Sequence, residues 1–247
     1  MPLLAGGELK KNSTSEATAG YREGVRAIAP ICVTAVVFGV SFGILAEAAG
    51  LGWLAPIVMS ATTFGGSAQF AAVSILDNAG GVVAAATAAV LLNARYIPLG
   101  VSVAPAWREG SAWRRLVQAQ LIVDESWAIS ARGGGRFDVP VLIGAGVALY
   151  LCWVGGTALG ALAGDILGDP ATLGLDAAFP ALFLALLVPQ LRDRRALVAA
   201  LAGGLIALAL LPVASPGIPI IAASVACLIG LRGSASSGRH AGRAPSP

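Results

Sequence analysis

Residues 54 to 76 read LAPIVMSATTFGGSAQFAAVSIL, an uncharged stretch as long as the roughly 20 residues a helix needs to cross a bilayer. Its middle, Thr62-Thr63-Phe64-Gly65-Gly66-Ser67, interrupts the run with residues that continue a helix poorly. The whole chain is written in this style. Of its 247 residues 57% are hydrophobic and 12% charged, against about 45–50% and about 25% in an ordinary soluble domain. With 32 glycines, 14 prolines and a mean hydropathy of +0.81, its apolar runs are too long for strands or for a small soluble core. The expected fold class is an all-α polytopic membrane protein. A bundle of about seven transmembrane helices (six to eight), at least one of them broken or re-entrant, uses nearly every residue and leaves no room for a nucleotide-binding or soluble catalytic domain.

The scarce residues exclude more. Cys32, Cys152 and Cys227 lie far apart in apolar runs, so neither a metal pair nor a disulfide framework is readable, and all three read as small core residues. The only histidine, His240, sits in a Ser/Gly/Arg/Pro tail, and no phosphate-binding G-x-x-x-x-G-K-[ST] occurs. No metal, cofactor or enzymatic constellation is expected. The net charge of +3 is not a nucleic-acid patch, because Lys10, Lys11 and nearly all the arginines fall outside the apolar runs, where they act as topology signals.

Residues 1–20 and 233–247 are polar or low in complexity and are expected to be disordered tails on a single transmembrane domain over 21–232, the amino tail cytoplasmic. The first run, Ala27 to Ala46, is longer than a signal-peptide core and reads as a retained helix. Gly80 to Ala104 is interrupted at Asn93-Ala94-Arg95-Tyr96-Ile97-Pro98, and Leu116 to Ala131 carries Asp124 and Glu125. Val139 to Ala163, Ala177 to Leu191, Ala196 to Leu211 and Ile218 to Leu231 follow. Arg22, Arg26, Arg132, Arg136, Arg192, Arg194, Arg195 and Arg232 mark inner gaps, whereas 47–53, 164–176 and 212–217 hold no Lys or Arg and belong outside. These assignments conflict in one place. From Glu47 outside to Arg108, Arg114 and Arg115 inside, the chain needs an odd number of crossings, yet two apolar stretches intervene. One must re-enter or break, and the segment 116–131 should either fold back or form an internal hairpin element. Irregular backbone at membrane depth survives only where protein or a watery cavity covers it, so these breaks point to the functional centre.

Gly65, Gly66 and Ser67, followed by Gln69, would let a helix stop and restart, exposing amide groups that attract a carboxylate. The alternative is a packing notch, which is the reading for Gly39 and Gly43 and for the ladder Gly156, Gly160, Gly164. Arg95 would cost roughly 2.5–3.5 kcal/mol at the centre of a span, so either a polar group faces it or it snorkels to headgroups beside Tyr96. Asp124 and Glu125 are its natural partners or a proton-carrying pair, unless they merely solvate a surface helix. Pro98, Pro180, Pro189 and Gln190 mark helix breaks or hinges. Interruptions near Gly65 and over 180–189 would fit a weak inverted repeat, although no sequence identity demonstrates one.

Several motifs in order, Arg22-Glu-Gly-Val-Arg26-Ala-Ile-Ala-Pro30, Phe38-Gly-Val-Ser-Phe-Gly43, Met59-Ser60, Gly66-Ser-Ala-Gln-Phe70, Leu92-Asn-Ala-Arg95-Tyr96, Ala104-Pro105, Asp124-Glu-Ser-Trp127 and Phe179-Pro-Ala-Leu-Phe183 to Pro189-Gln190, resemble the AzlC-type branched-chain amino-acid exporters over about residues 21 to 231. Tyr96 stands where that family frequently has histidine, and Trp127 where it often has phenylalanine. The resemblance implies the large subunit of a bacterial inner-membrane permease, working with a small AzlD-type membrane partner. It implies a secondary transporter exporting valine, leucine and isoleucine, with methionine as a further substrate. On that reading the helix end at Gly65, Gly66 and Ser67, with Arg95, takes the substrate carboxylate. Gln69, Asn93 or Glu125 accepts from the ammonium, and Phe64 and Phe70 enclose the side chain. The aliphatic substrates differ by only about 1–3 kcal/mol in such a pocket, so one exporter serves them all. The competing readings are a passive amino-acid channel and a structural subunit whose partner holds the substrate.

Overall fold

The computed structural model describes residues 3–107, 111–167, 184, 187–188, 191, 194–214 and 218–226, with the side chains of 3–16 and 165–167 outside the description. Helix α1 (Leu3–Ala46) ends in a π-turn over Glu47–Leu51. It is followed by α2 (Leu54–Thr63), α3 (Gly66–Asp77), α4 (Val82–Asn93), α5 (Tyr96–Val103) with a 3-10 turn to Trp107, α6 (Ala112–Ala119), α7 (Asp124–Ser130) and α8 (Val139–Leu167). The last described helices are α9 (Arg194–Leu210) and α10 (Ile218–Ser224). Residues 3–20, expected to be disordered from their polarity, are helical. Leu3, Leu4, Ala5, Glu8, Leu9, Lys10, Lys11, Glu16 and Ala17 are good helix formers, so propensity outweighs polarity there.

The span read as one domain holds two compact units. One comprises α1, α2, α3 as far as Gln69, and α5 to α8 from Asn93 on; the other comprises the rest of α3, most of α4, α9 and α10. In the second unit, Gly203 of α9 faces Ala223 and Ala226.

The first unit is organised by α1 and α8, which lie side by side and run the same way. Gly24 abuts Val141 and Ala145, Gly39 abuts Trp153 and Thr157, and Gly43 abuts Thr157 and Ala161. From the other side Gly144 meets Tyr21, Gly156 meets Val36, and Gly160 meets Val40. The glycines bring the two backbones into contact, as small residues do between helices in lipid, where apolar side chains gain nothing by leaving their neighbours. Cys32 and Cys152 are half-buried free thiols on these two helices; Cys227 lies outside the described residues.

Because α1 and α8 are parallel, the chain between them must return an odd number of times, and the structure shows how. Helix α2 starts near the end of α8 and runs back along it: Ser60 reaches Thr157, while Ala61 and Phe64 reach Tyr150. After a turn at Phe64 and Gly65, α3 sets off in the opposite sense, with Gly66 against Trp153 and Gln69 beside Ser60. Helices α2 and α3 thus form a hairpin whose tip lies near the middle of the 29-residue α8. Helices α6 and α7 form a second hairpin from the other end. Its tip, Leu121, lies against Gly146, and α7 returns to the start of α8, where Ser130 O accepts from Asp138 N. Neither hairpin makes a net crossing.

By length and composition α1 over Ala17–Leu51 and α8 over Val139–Gly164 can span a bilayer. A third span exists if α4 and the segment Tyr96–Trp107, bent by 41° where they meet, count as one. The expected count of about seven is therefore not reached among the described residues. The stretch 54–76 is the one that folds back, 116–131 folds back as well, and the run 177–191 falls largely outside the description.

Candidate functional site

The first tip is built by a backbone reversal. Phe64 caps α2 in the left-handed region at φ 40°, ψ 53°, uncommon for a residue with a side chain, and its buried ring meets Tyr150 edge-on at 5.1 Å. Gly65 O accepts the first helical bond of α3 from Gln69 N at 2.9 Å, so α3 begins at Gly66 with the amides of its first turn lacking partners inside the helix. A chain of buried hydrogen bonds fixes the reversal. Trp153 Nε1 donates to Gln69 Oε1 at 3.0 Å, and Gln69 Nε2 donates to Ser60 Oγ at 2.8 Å. Ser60 Oγ lies 2.9 Å from Thr157 Oγ1, which donates to Trp153 O. Such groups are costly to bury unless paired, and these are paired.

Against this tip lies the break between α4 and α5. A Cβ on Gly65 would sit 2.5 Å from Asn93 Oδ1, so glycine is needed for the two breaks to touch. Asn93 Oδ1 is buried with no hydrogen-bond partner among the described residues, an acceptor beside the tip. Arg95, the next polar residue, extends to three oxygens: Nη2 is 3.3 Å from Ser67 Oγ, 3.2 Å from Tyr96 Oη and 3.2 Å from Asp124 Oδ2. The guanidinium also lies 5.1 Å from the centre of the Tyr96 ring. Of the two readings of Arg95, facing a polar partner is the one the structure adopts. The Arg95 and Asp124 side chains keep 38% and 45% of their accessible surface, so a ligand can compete for either.

The second tip completes the group. Gln120 Nε2 donates 2.7 Å to Thr62 O, a carbonyl in the last turn of α2, and so ties the two tips together. Residues 121–123 leave the helix, and Val123 is extended at φ −126°, ψ 169°. Ser126 Oγ accepts from Val123 N at 3.1 Å and donates to Leu121 O at 2.7 Å, closing the turn that places Asp124 and Glu125 at the start of α7. Below the tip Val103, Trp107, Ile122 and Leu142 form an apolar cluster joined by Leu99 and Trp127, and Trp127 Nε1 donates to Ser102 Oγ at 2.8 Å.

The residues singled out from the sequence are thus sorted. Gly65, Ser67, Asn93, Arg95 and Asp124 meet at the paired tips, with Glu125 half-buried next to Asp124. Gln69 is placed otherwise than an ammonium acceptor requires, since it is 1% exposed and both ends of its amide are engaged. Gly66 packs on the Trp153 indole, and Phe64 and Phe70 are buried. Pro98 lies in the first turn of α5, just after the break at 94–95 and where a missing N–H costs least. Pro180, Pro189 and Gln190 lie outside the described residues. Sequence reading missed Gln120, Ser60, Tyr150, Trp153 and Thr157. The last three recur at i, i+3 and i+7 on α8, a stripe of polar tips in an apolar helix. Among the described residues no cluster of His, Cys, Asp and Glu could hold a metal.

Sequence comparison relates the chain to known membrane proteins. Residues 30–167, from the middle of α1 to the end of α8, match the family model of the AzlC protein. The chain is 32% identical to an uncharacterized membrane protein of Archaeoglobus fulgidus over 85% of its own length and 93% of the relative's. It is 28% identical to the branched-chain amino acid transport protein AzlC of Bacillus subtilis, covering 78% of this chain and 76% of that one. It is 26% identical to the inner membrane protein YgaZ of Escherichia coli, over 76% and 81% of the two chains. No solved structure matches. A helical membrane protein whose paired tips fall inside the matched region, this chain belongs to the AzlC family.

Proposed function

We propose that the protein is a secondary transporter that exports branched-chain amino acids, valine, leucine and isoleucine with methionine as a further substrate, across the bacterial cytoplasmic membrane. The observation that carries the proposal is Arg95, held between Ser67 at the start of α3 and Asp124 at the start of α7 where two opposed hairpins meet. A guanidinium beside the amides of a helix start, which have no partners within the helix, offers a carboxylate two kinds of donor. In the empty protein Asp124 neutralises that charge. A substrate carboxylate displaces it, and Asp124 or Glu125 is then free to take a proton or, together with Asn93 Oδ1, to accept from the substrate ammonium. The name of the Bacillus subtilis relative supports the substrate class.

The two hairpins supply alternating access. One enters from each end of α8, so withdrawing either tip opens the Arg95 site to one side only. Arg22, Arg26, Arg132 and Arg136 gather at the start of α8, where Arg132 is 2.6 Å from Glu23, which supports placing this end and the amino terminus in the cytoplasm. A small AzlD-type subunit belongs to the working complex on this reading.

Counterflow of labelled leucine in proteoliposomes containing both subunits tests the assignment. Wild-type protein is expected to show exchange stimulated by leucine on the opposite side, whereas a channel would conduct without it. Arg95→Ala is expected to abolish exchange while the protein stays inserted and monodisperse, and Arg95→Lys to restore part of it. Wild-type exchange by Arg95→Ala would remove the arginine from the mechanism.

A further inference from the structure

Below the α6–α7 tip the first unit holds a cavity of about 330 Å³ between the start of α8, the end of the α5 segment, α6 and the face of α1 carrying Tyr21. Its lining divides by chemistry. Val139, Ile143 and the Trp107 indole form an apolar wall, while Arg114 and Gln118 of α6 supply a cation and an amide. Arg114 makes no ion pair and no carboxylate lines the cavity among the described residues. Trp107, itself buried, has a ring N–H without a hydrogen-bond partner among the described residues. The volume is at the small end of the roughly 300–1,000 Å³ of small-molecule sites, room for one amino acid and too little for an acyl chain. Gln118 is two residues before Gln120, whose amide holds the paired tips, so the cavity and the tips share helix α6.

We propose that this cavity is a second binding site for an aliphatic α-amino acid, an entry site on the side where α8 begins. Arg114 receives the carboxylate, Gln118 accepts from the ammonium, and the aliphatic side chain lies against Val139, Ile143 and Trp107. Arg114, which has no counter-ion among the described residues, selects the carboxylate, and the apolar wall selects an aliphatic side chain over a polar one. The site rests on the transport reading above and adds to it a waiting position from which substrate passes to the tips.

The test is leucine exchange in proteoliposomes, with the KM measured separately from each side, for wild type, Arg114→Gln, Arg114→Lys and Ile143→Trp. Losing one charge-assisted contact should raise the KM about tenfold from the α8-start side in Arg114→Gln. Ile143→Trp, which fills the cavity, should do the same, while Arg114→Lys stays close to wild type. The KM from the other side should not change in any variant. Exchange by wild type with an unaltered KM in both Arg114→Gln and Ile143→Trp overturns the entry site and leaves the transport reading intact. An absence of leucine exchange by wild type overturns both.

Discussion

The seam between α1 and α8 and the meeting point of the hairpin tips both depend on glycine, and they use it in opposite ways. In the seam, Gly24, Gly39, Gly43, Gly144, Gly156 and Gly160 each face the backbone of the other helix. At the tips, Gly65 and Gly66 face side chains, the amide of Asn93 and the indole of Trp153. Backbone in a helix cannot step aside, whereas a side chain can turn. The seam is therefore a fixed spine, and the tips are a junction that can come apart. The transport proposal needs both, because hairpins that move to expose the Arg95 site would have to work against something that does not move.

The largest effect should come from breaking the spine. Gly43→Ala and Gly160→Ala place a methyl into the facing backbone, and overpacking of this kind costs about 1–3 kcal/mol or more. Thermal unfolding in detergent should show a lower midpoint, or no monodisperse protein at all, for both. Gly66→Ala, which meets only the rim of an indole, should lose less. Equal losses in seam and tip would erase the distinction.

A smaller effect sharpens the account of the tips. Gln69→Leu removes the buried hydrogen bonds that Gln69 makes with Trp153 and Ser60, a loss of about 1–3 kcal/mol. Because Gln69 and Trp153 share one of these bonds, Gln69→Leu combined with Trp153→Phe should cost less than the two separately, by about 0.5 kcal/mol or more. If Gln69 instead held the substrate ammonium, Gln69→Leu would raise the KM and leave the unfolding midpoint untouched.

The spine and the tips were not equally legible. The seam could be read because small residues at a spacing of four are a local pattern, and Gly39, Gly43, Gly156, Gly160 and Gly164 stand on two long apolar helices. The need for a re-entrant segment could also be read, since charge sidedness imposes parity on the crossings. The second hairpin could be read in outline, since the polar segment 116–131 between arginines was expected to fold back or form an internal hairpin and α6 and α7 do so, whereas the interruption over 180–189 lies largely outside the described residues. Helix α6 has arginines and an exposed apolar face, which in sequence resembles a surface helix, and only its approach to Ile143 and Gly146 shows that it leads inward. Gln69 was misread for a related reason. A glutamine in an apolar run must find partners, but whether these are substrate atoms or Ser60 and Trp153 depends on residues up to 84 positions away.

The smallest effect lies at the end of the spine. Arg132 Nη2 is 2.6 Å from Glu23 and 3.3 Å from Asp138, joining α1 to the loop before α8, while Asp138 Oδ1 accepts from Val141 N at the helix start. The hydrogen bond to Glu23 first, and that to Asp138 second, hold the Arg132 pKa above the ordinary guanidinium value. A group whose pKa is raised on folding contributes below its unfolded value and loses that contribution only as pH climbs through the folded one, so Arg132 acts uniformly between about pH 5 and pH 9. It is also exposed, its side chain keeping 40% of its accessible surface, so water and salt screen its ion pairs, and the glycine seam already holds α1 on α8. Arg132→Gln should accordingly move the unfolding midpoint by no more than about 1 °C, equally at both ends of that pH range. A shift as large as that of Gly43→Ala would mean that the spine is held by its charged end and not by the contact of its backbones.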